Sequence, residues 1–264
     1  MASDSPTLPP GVAAAADAGP PALTPQAACL ALQRAIMGPT PMHAGTRLIH
    51  TNRFVSRKMR MLEEDDVQQC SCKTARPQGA ICCDARCENV QGKMECLIGF
   101  CSRSKRCGNM RLQRMQWCPA LRVVPSGERG LGLAVTERTP ARSFLLEYLG
   151  EVLNEAEKAK RMEAYARSGR HFYVMGLPGG YYLDSAVYRS VGAFINHACT
   201  PNAVAEFWTV GKEDRVAIFT TAALEVGEEV TLDYGWGTAA RLTVCVCASR
   251  FCRALMNVGP DRAF

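Results

Sequence analysis

The spacing of apolar and polar residues separates a strand-rich part of the chain from parts without regular apolar periodicity. Between residues 121 and 234, short apolar runs alternate with Gly, Pro and charged residues, a pattern that predicts β-strands joined by turns. The predicted strands are residues 121–125, 131–137, 144–152, 172–177, 181–184, 203–210, 216–221 and 229–233. This part of the chain is therefore expected to be mainly β, with short helices.

Two helices are predicted. Residues 156–166 are strong helix formers, preceded by the N-cap residue Asn154, with Glu157 three residues later, and followed by Gly169. A shorter helix is expected around residues 26–37. It lies within residues 1–45, an Ala- and Pro-rich stretch that otherwise reads as disordered. Residues 46–69 mix basic and acidic runs and are expected to form an ordered lead-in.

Cysteines change this picture, because eight of the 14 lie between residues 70 and 107. That segment has little apolar periodicity and cannot bury enough surface to fold alone, so we expect a cross-link. Clustered thiols at C-x-C and C-x4-C spacing suit tetrahedral zinc. The alternatives are buried free cysteines and oxidised pairs. Two zinc ions that share one thiolate need seven cysteines, so one of the adjacent Cys82 and Cys83 would be spare.

Composition and charge set wider limits. The chain has 264 residues, 47% of them hydrophobic, and a net charge of +6, which allows one large domain or two small ones. No run approaches the ~20 apolar residues of a membrane span, so no membrane association is expected. No secretory signal is recognisable, which favours a reducing environment and metal-bound cysteines. The mild basicity suits an acidic partner without requiring one.

Two segments carry the most specific pattern: residues 194–202 read FINHACTPN and residues 228–234 read EEVTLDY. Taken alone, they fit a helix end capped by Asn196 and a buried core tyrosine. Together they resemble the two signature motifs of the SET-domain lysine methyltransferases. The resemblance implies a SET-domain β-fold with a knot-like active site. It also implies methyl transfer from S-adenosylmethionine to a lysine amine.

The cysteine block resembles the AWS ("associated with SET") region, through Cys83-x3-Cys87-Glu-Asn and the CGNMRLQR run at residues 107–114. The resemblance implies two zinc ions, the first held by Cys70, Cys72, Cys83 and Cys87. It implies that the second is held by bridging Cys83 with Cys96, Cys101 and Cys107. A third ion, held by Cys199, Cys245, Cys247 and Cys252, matches the post-SET module. The implied modules are AWS at 70–118, SET at 119–236 and post-SET at 237–264.

The resemblance also assigns the remaining site residues. Cofactor-binding positions are Arg129, Gly130, Leu131, His171, Phe172, Tyr173, Asn196, His197, Thr243 and Val246. Tyr148 would line the lysine channel, and Tyr234 would be the catalytic residue that orients the amine for in-line attack. Without the family context, the Gly-x-Gly at residues 130–132 reads as a hairpin turn and Tyr148 as an ordinary strand aromatic.

Two positions depart from the family pattern. Ala193 stands where the family usually has Arg. Leu232, two residues before Tyr234, stands where Phe or Tyr usually limits the number of methyl groups, so higher methylation states are expected. Both departures favour an alternative reading as a catalytically weak or inactive chromatin adaptor. A purely DNA-binding zinc protein would need a helix of base-reading side chains after the cysteines, and none is visible.

The partners follow from the same resemblance, whose nearest branch acts on lysine 36 of histone H3. We therefore expect histone H3 in nucleosomes as the substrate and the nucleus and chromatin as the location. Non-specific DNA contact is compatible with the charge, and we expect a monomer.

Overall fold

The computed structural model describes residues 23–72, 81–101, 104–169, 173–235, 242–253 and 255–257. Its helices are α1 (Pro25–Met37), α2 (Glu88–Gln91) and α3 (Glu155–Ser168). The first strands are β1 (Arg47–Leu48), β2 (Arg53–Phe54), β3 (Leu121–Pro125), β4 (Leu131–Val135), β5 (Phe144–Tyr148), β6 (Glu151–Leu153), β7 (Val174–Leu177) and β8 (Tyr181–Asp184). They are followed by β9 (Tyr188–Arg189), β10 (Asn196–His197), β11 (Ala203–Val210), β12 (Glu213–Thr220), β13 (Thr231–Leu232), β14 (Leu242–Val244) and β15 (Leu255–Asn257).

The described strands form small sheets rather than one large one, and the expected mainly β architecture is confirmed. A four-stranded sheet has the order β2-β6-β8-β7, and a three-stranded sheet has the order β11-β12-β5. Pairs of strands make up the rest: β1-β9, β3-β4, β10-β13 and β14-β15. The strand expected over 144–152 is divided into β5 and β6. Gly150 lies between them, where a Cβ atom would come within 2.6 Å of the Asp184 carbonyl oxygen.

Helix α3 begins and ends where the sequence predicts. The Asn154 side chain accepts a hydrogen bond of 2.9 Å from the Glu157 backbone N–H, which satisfies one of the free donors of the first turn. Gly169 follows the helix with φ 64°, a left-handed conformation that glycine adopts without steric cost. Local sequence signals therefore define this helix.

Helix α1 corrects the expectation of a disordered segment over residues 1–45. It packs into the main core through Cys29, Ile36 and Met37, which are all buried. Gln33 is fully buried as well. Its amide donates to the Ile49 carbonyl oxygen at 2.8 Å and accepts from the Val191 N–H at 3.1 Å. Those apolar contacts and backbone bonds offset the ordering entropy, so residues 25–37 are folded. Residues 1–22 lie outside the described part.

The two motif segments meet through β10 and β13, which pair in parallel with Asn196 opposite Thr231 and His197 opposite Leu232. Asn202 fastens the same pair further along. Its side chain donates to the Glu229 carbonyl oxygen at 2.9 Å and accepts from the Thr231 N–H at 2.9 Å. Residues about thirty positions apart are thus brought into register at the place where the resemblance implied the active site.

Candidate active site and metal centres

The Glu229 carboxylate joins the Gly-containing turn after β3 to the Asn196 motif. It accepts hydrogen bonds from Arg129 Nη2 at 2.7 Å, Ser126 Oγ at 2.8 Å and Asn196 Nδ2 at 2.7 Å. At Gly132 a Cβ atom would lie 2.3 Å from a Glu229 oxygen, so only glycine leaves room for the carboxylate. Sequence reasoning missed Glu229, because nothing in the sequence distinguishes it from the adjacent Glu228.

Asn196 contacts the same turn directly. Its amide donates a second hydrogen bond of 3.0 Å to the Leu131 carbonyl oxygen. Gly130, next in the turn, has φ 76°, a conformation that few non-glycine residues adopt. The structure thus brings together Gly130, Leu131 and Asn196, three of the cofactor-binding positions expected from the sequence, although Asn196 is 65 residues from Leu131 in the chain.

Tyr234 lies half-buried at the end of the β13 motif, and both ends of the residue are held. Its hydroxyl donates to the Ile195 carbonyl oxygen at 2.5 Å, and its backbone N–H donates to His197 Nδ1 at 3.1 Å. Burial raises the pKa of the phenol above its usual value, and the neighbouring phenols of Tyr148 and Tyr173 add to that rise. Tyr234 is therefore a neutral hydrogen-bonding group rather than a base at ordinary pH.

Tyr148 on β5 and Leu232 on β13 complete the buried surroundings of Tyr234. Burial raises the pKa of Tyr148 to about 12, although a hydrogen bond with Ser185 and the charge of Arg189 oppose that rise. Leu232 is only 3% exposed and offers no polar atom. The three phenols, Tyr148, Tyr173 and Tyr234, form a cluster that we call the tyrosine cluster.

His197 connects the tyrosine cluster to the C-terminal cysteines. Because its Nδ1 accepts the Tyr234 N–H, the ring proton belongs on Nε2. Nε2 lies 3.4 Å from Cys199 Sγ, so the imidazole donates to that sulfur. A metal-bound thiolate is commonly supported by such a neighbouring donor, which fixes its orientation.

The sulfur atoms of Cys199, Cys245, Cys247 and Cys252 all lie within 4.8 Å of one another. Tetrahedral zinc with Zn–S bonds of about 2.3 Å separates its sulfurs by about 3.8 Å. The Cys199 and Cys245 sulfurs are 3.8 Å apart. Although burial opposes it, hydrogen bonds from Arg253 lower the pKa of Cys199 to about 7, which favours the thiolate that a metal requires. Four sulfurs at this spacing fit a closed structural zinc site.

The cysteine block contains two further groups whose sulfurs lie within 4.8 Å of one another. They are Cys70, Cys72, Cys83 and Cys87 in one group, and Cys70, Cys83, Cys96 and Cys101 in the other. Cys70 and Cys83 belong to both groups, as a bridging ligand must, whereas Cys82 belongs to neither. The Cys82 sulfur instead donates to the Arg106 carbonyl oxygen at 3.3 Å. The geometry therefore favours Cys83 over Cys82 as the shared ligand.

The second group differs in one member from the set that the resemblance implied. Cys70 stands in the place expected for Cys107. Cys107 still lies beside the group, because its thiol is hydrogen-bonded to Cys96 and to Cys83. These hydrogen bonds, that with Cys96 first, lower the pKa of the Cys107 thiol. Every cysteine assigned to this block thus lies in or next to a group of sulfurs.

Several other expected site residues contribute less to this geometry. His171 and Phe172 lie outside the described residues. Thr243 belongs to β14, and its side chain is outside the described part. Val246 is 43% exposed. Ala193, which stands where the family usually has Arg, lies in the short 3-10 helix Val191–Phe194 and is buried.

A buried ion pair lies in the sheet that carries Tyr148. Glu147 on β5 is fully buried, and Arg215 on β12 donates to its carboxylate through Nε at 2.6 Å and through Nη2. Burial raises the pKa of Glu147, and the guanidinium opposes that rise. The pair contributes to the ordering of β5 against β12.

Comparison with known proteins agrees with this geometry. Residues 130–235 match the sequence family described as "SET domain". Over 219 residues the chain is 36% identical to "Histone-lysine N-methyltransferase ASHH2" of Arabidopsis thaliana, covering 81% of this chain and 12% of that protein. Over 197 residues it is 35% identical to "Histone-lysine N-methyltransferase, H3 lysine-36 specific" of Cryptococcus neoformans var. neoformans, covering 72% of this chain and 23% of the relative. The chain thus spans less than a quarter of either relative.

A solved structure shares the fold. The similarity is to "Chaetomium thermophilum Polycomb Repressive Complex 2 bound to GSK126", with a TM-score of 0.55 and 26% identity. It covers 63% of this chain and 24% of that one. Within the described part of the chain, no helix is long and apolar enough to cross a bilayer.

Proposed function

Residues 130–235 of this chain form a SET domain, and from that premise we propose that it is an S-adenosylmethionine-dependent histone-lysine N-methyltransferase acting on lysine 36 of histone H3. The observation that carries the proposal is the convergence on one site of the Arg129–Leu131 turn, Asn196 and Tyr234. The choice of lysine rests on the printed name of a relative that shares only part of its length with this chain.

The residues around Asn196 fit the cofactor. S-adenosylmethionine supplies, when bound, a methyl group on a positively charged sulfur. Gly130 exposes the turn backbone without a side chain, and the Asn196 amide lies against the next carbonyl oxygen. Glu229 neutralises Arg129 and holds both parts of this surface in place. These groups offer donors and acceptors at fixed positions, as a preorganised binding site requires.

The tyrosine cluster supplies the place for the lysine. Methyl transfer needs a neutral amine, held in line with the methyl group and away from water. Tyr234, with its hydroxyl bound to the Ile195 carbonyl oxygen, defines a fixed polar point in a buried surface. Tyr148 and the apolar Leu232 form further walls. In this mechanism the phenol orients the amine, and no side chain becomes covalently modified.

Leu232 also bears on the number of methyl groups transferred. It is buried on β13 and carries no hydroxyl that could hold a water molecule in the methyl-accepting space. We infer that di- or trimethyl-lysine is the product, because a methylated amine has room to rotate for another transfer.

Three zinc ions are part of the proposal. The sulfur spacing in the three groups supports it, and the third group lies against His197. Arg253 adds a second connection, since its guanidinium donates to Asp233 Oδ1 at 2.7 Å, next to Tyr234. The third zinc would thus hold the C-terminal segment against the active site.

The nucleosome as substrate is supported by the charge of the N-terminal part. Residues 23–62 contain six Arg and Lys residues and no Asp or Glu. On β1 and β2, Arg47 and Arg53 lie over the ring of Tyr188, with Arg53 only 3.8 Å from its centroid. An exposed cationic surface of this kind suits contact with DNA phosphates. The proposal therefore includes chromatin in the nucleus as location, and a monomer as the acting form.

A catalytically inactive chromatin adaptor is the second candidate, favoured by Ala193 and Leu232. The two candidates agree on cofactor binding and differ in turnover. The deciding experiment offers the protein and S-adenosylmethionine to recombinant nucleosomes in which single lysines of histone H3 are replaced by arginine. We expect transfer to wild-type nucleosomes and loss of transfer only when lysine 36 is replaced. Transfer that persists without lysine 36 would refute the choice of lysine, and cofactor binding without transfer would favour the adaptor.

A further inference from the structure

Arg189, the last residue of β9, is a buried cation at the edge of the tyrosine cluster. It is 4% exposed, and its guanidinium lies over the Tyr173 ring at 4.5 Å from the centroid. One terminal nitrogen donates to the Ala186 carbonyl oxygen. Its Nε is buried and has no hydrogen-bond partner among the described residues. The side chain is thus fixed in place, with one donor unused.

Arg189 differs from two other largely buried arginines, Arg215 and Arg161, in having no counter-charge among the described residues. Arg215 is paired with Glu147, and Arg161 is paired with Asp184 at 2.9 Å. In the part of the chain that the structure describes, no carboxylate lies within ion-pair distance of Arg189. A buried charge without a partner is costly, because its lost hydration is not replaced. The positive charge of Arg189 therefore acts on any charged group that enters the space beside the tyrosine cluster.

That space adjoins the place assigned to the substrate lysine. Arg189 contacts Tyr173 and acts electrostatically on the Tyr148 phenol, which in turn neighbours Tyr234. A guanidinium stays protonated at every working pH, so this charge is permanent. A lysine side chain that reaches the tyrosine cluster as an ammonium ion meets a like charge, whereas the neutral amine does not.

We propose that Arg189 is a positioning residue whose fixed positive charge disfavours the ammonium form of the substrate lysine in the tyrosine cluster and so favours the neutral, methyl-accepting amine. This inference rests on the proposed function. The ammonium proton leaves to solvent water before transfer. The nitrogen lone pair then forms the N–CH3 bond while the S–CH3 bond breaks. The electrons of the broken bond stay on the sulfur, which becomes a neutral thioether, and the positive charge passes to the methylated nitrogen.

The pH dependence follows from the charges that face this space, which are Arg189 on β9, Asp184 on β8, Arg129 and Glu229 beside Asn196, and the phenols of the tyrosine cluster. Tyr148 has its pKa raised to about 12 by burial, and burial raises that of Tyr234 further, so these two stay neutral over an assay range of about pH 6–10. A free lysine has a pKa of about 10.4, so about 0.1% is neutral near pH 7.4. Lowering that value by one unit raises the neutral fraction tenfold.

The test compares Arg189→Met and Arg189→Gln, which remove the charge, with Arg189→Lys, which keeps it, and with Arg122→Met as a matched change at an exposed arginine of β3. The rate is measured against pH with a histone H3 peptide. For the neutral variants we expect the rising limb to move to higher pH by about one unit, with the high-pH plateau kept. Arg189→Lys and Arg122→Met should retain the wild-type limb. An unmoved limb in a folded neutral variant would overturn the proposal.

A binding measurement keeps the inference independent of turnover. Calorimetry compares an H3 peptide carrying lysine at the target position with one carrying norleucine, which has the same four side-chain carbons but no amine and no charge. We expect the preference for norleucine to fall about tenfold in Arg189→Met and Arg189→Gln. Equal preference in wild type and neutral variants would contradict the role of Arg189. If wild type transfers no methyl group to any H3 substrate, the proposed function fails, and the binding ratio still decides the electrostatic role.

Discussion

In the strand-rich body the buried residues are mostly Leu, Val and Ile, whereas in the cysteine block, residues 70–107, they are mostly cysteines. The body buries strands from residues 121–232 together with α1 in one apolar core. The block has six buried cysteines at its centre, and Met110, which follows the block in the chain, packs with them. The body can fold through burial of apolar surface, which stabilises the folded state by about 25 cal/mol for each Å² of apolar surface removed from water. The block has little such surface, so we propose that its folding depends on bound zinc.

The third cysteine group connects the apolar core of the body to a segment that has cysteine ligands. Cys199 follows the Asn196-His197 strand of the body, while Cys245, Cys247 and Cys252 come from the C-terminal segment. His197 contacts both the Cys199 sulfur and the Tyr234 backbone. Zinc bound in this group would therefore affect the proposed active site, whereas zinc bound in the cysteine block would affect mainly the block itself.

The largest expected effect separates the body from the block. Cys83→Ser removes one of the two cysteines that belong to both groups, and the one that the resemblance implies as the bridge. We therefore expect loss of the two zinc ions of the block and unfolding of residues 81–101. In structural zinc sites of this kind, zinc binding contributes an apparent free energy of about 10–16 kcal/mol to folding. Cys82→Ser is the matched control and should keep both ions. Elemental analysis and hydrogen exchange measure the outcome, and a zinc-free block that still protects its amides would contradict it.

The next effect concerns chemistry in the body alone. Tyr234→Phe removes the hydroxyl bound to the Ile195 carbonyl oxygen and should lower turnover by about 10²-fold, while cofactor binding is retained. Asn196→Ala should show the opposite pattern, with weaker cofactor binding, because it loses its contact with the turn at Leu131. Calorimetry and initial rates distinguish the two. A Tyr234→Phe variant as fast as wild type would show that the phenol has no such role.

A smaller effect tests whether Glu229 positions the cofactor surface. Glu229→Gln weakens its bond to Arg129 and should reduce cofactor affinity about tenfold, as expected for a charged hydrogen bond. Glu225→Gln is the control. Its ion pair with Arg138 is exposed, with side chains 71% and 65% accessible, and should matter little. Equal cofactor affinities for the two variants would show that Glu229 does not position the cofactor surface.

The smallest change affects the product and leaves the rate nearly unaltered. Leu232→Tyr adds a hydroxyl and volume to the methyl-accepting space, so we expect a shift from di- or trimethyl-lysine toward monomethyl-lysine. Leu232→Met, similar in volume to leucine, is the control and should keep the wild-type products. Mass spectrometry of histone H3 after exhaustive reaction gives the distribution. A wild-type product that stops at monomethyl-lysine would show that another wall sets the limit.

How far the sequence predicts the fold depends on the range of the interactions. Strands β3, β8 and β11 and helix α3 have the predicted bounds or nearly so, because turns and caps within a few residues define them. Strands β1, β2 and β9 were missed, since each is two residues long and exists only through pairing with a distant strand. Helix α1 was predicted, but not its place in the core, which depends on the bonds of Gln33 to Ile49 and Val191.

The same distinction applies to the site. Asn196 and Tyr234 could be proposed from the sequence because they belong to contiguous motifs. Glu229 and Arg189 could not. The proposed role of Glu229 comes from a contact 33 residues away, and that of Arg189 from its having no counter-charge in the part of the chain that the structure describes. The choice of Cys83 over Cys82 also needed geometry, because adjacent residues are equivalent in spacing and differ only in where their sulfurs point.

The central claim is that the body transfers methyl groups to histone H3. The most direct measurement is the intact mass of H3 after nucleosomes are incubated with the zinc-loaded protein and S-adenosylmethionine, with Tyr234→Phe run in parallel. We expect mass increments of about 14 Da per methyl group on H3 with wild type, nearly absent with Tyr234→Phe over the same time. Unchanged H3 with wild-type protein that binds the cofactor would contradict the claim.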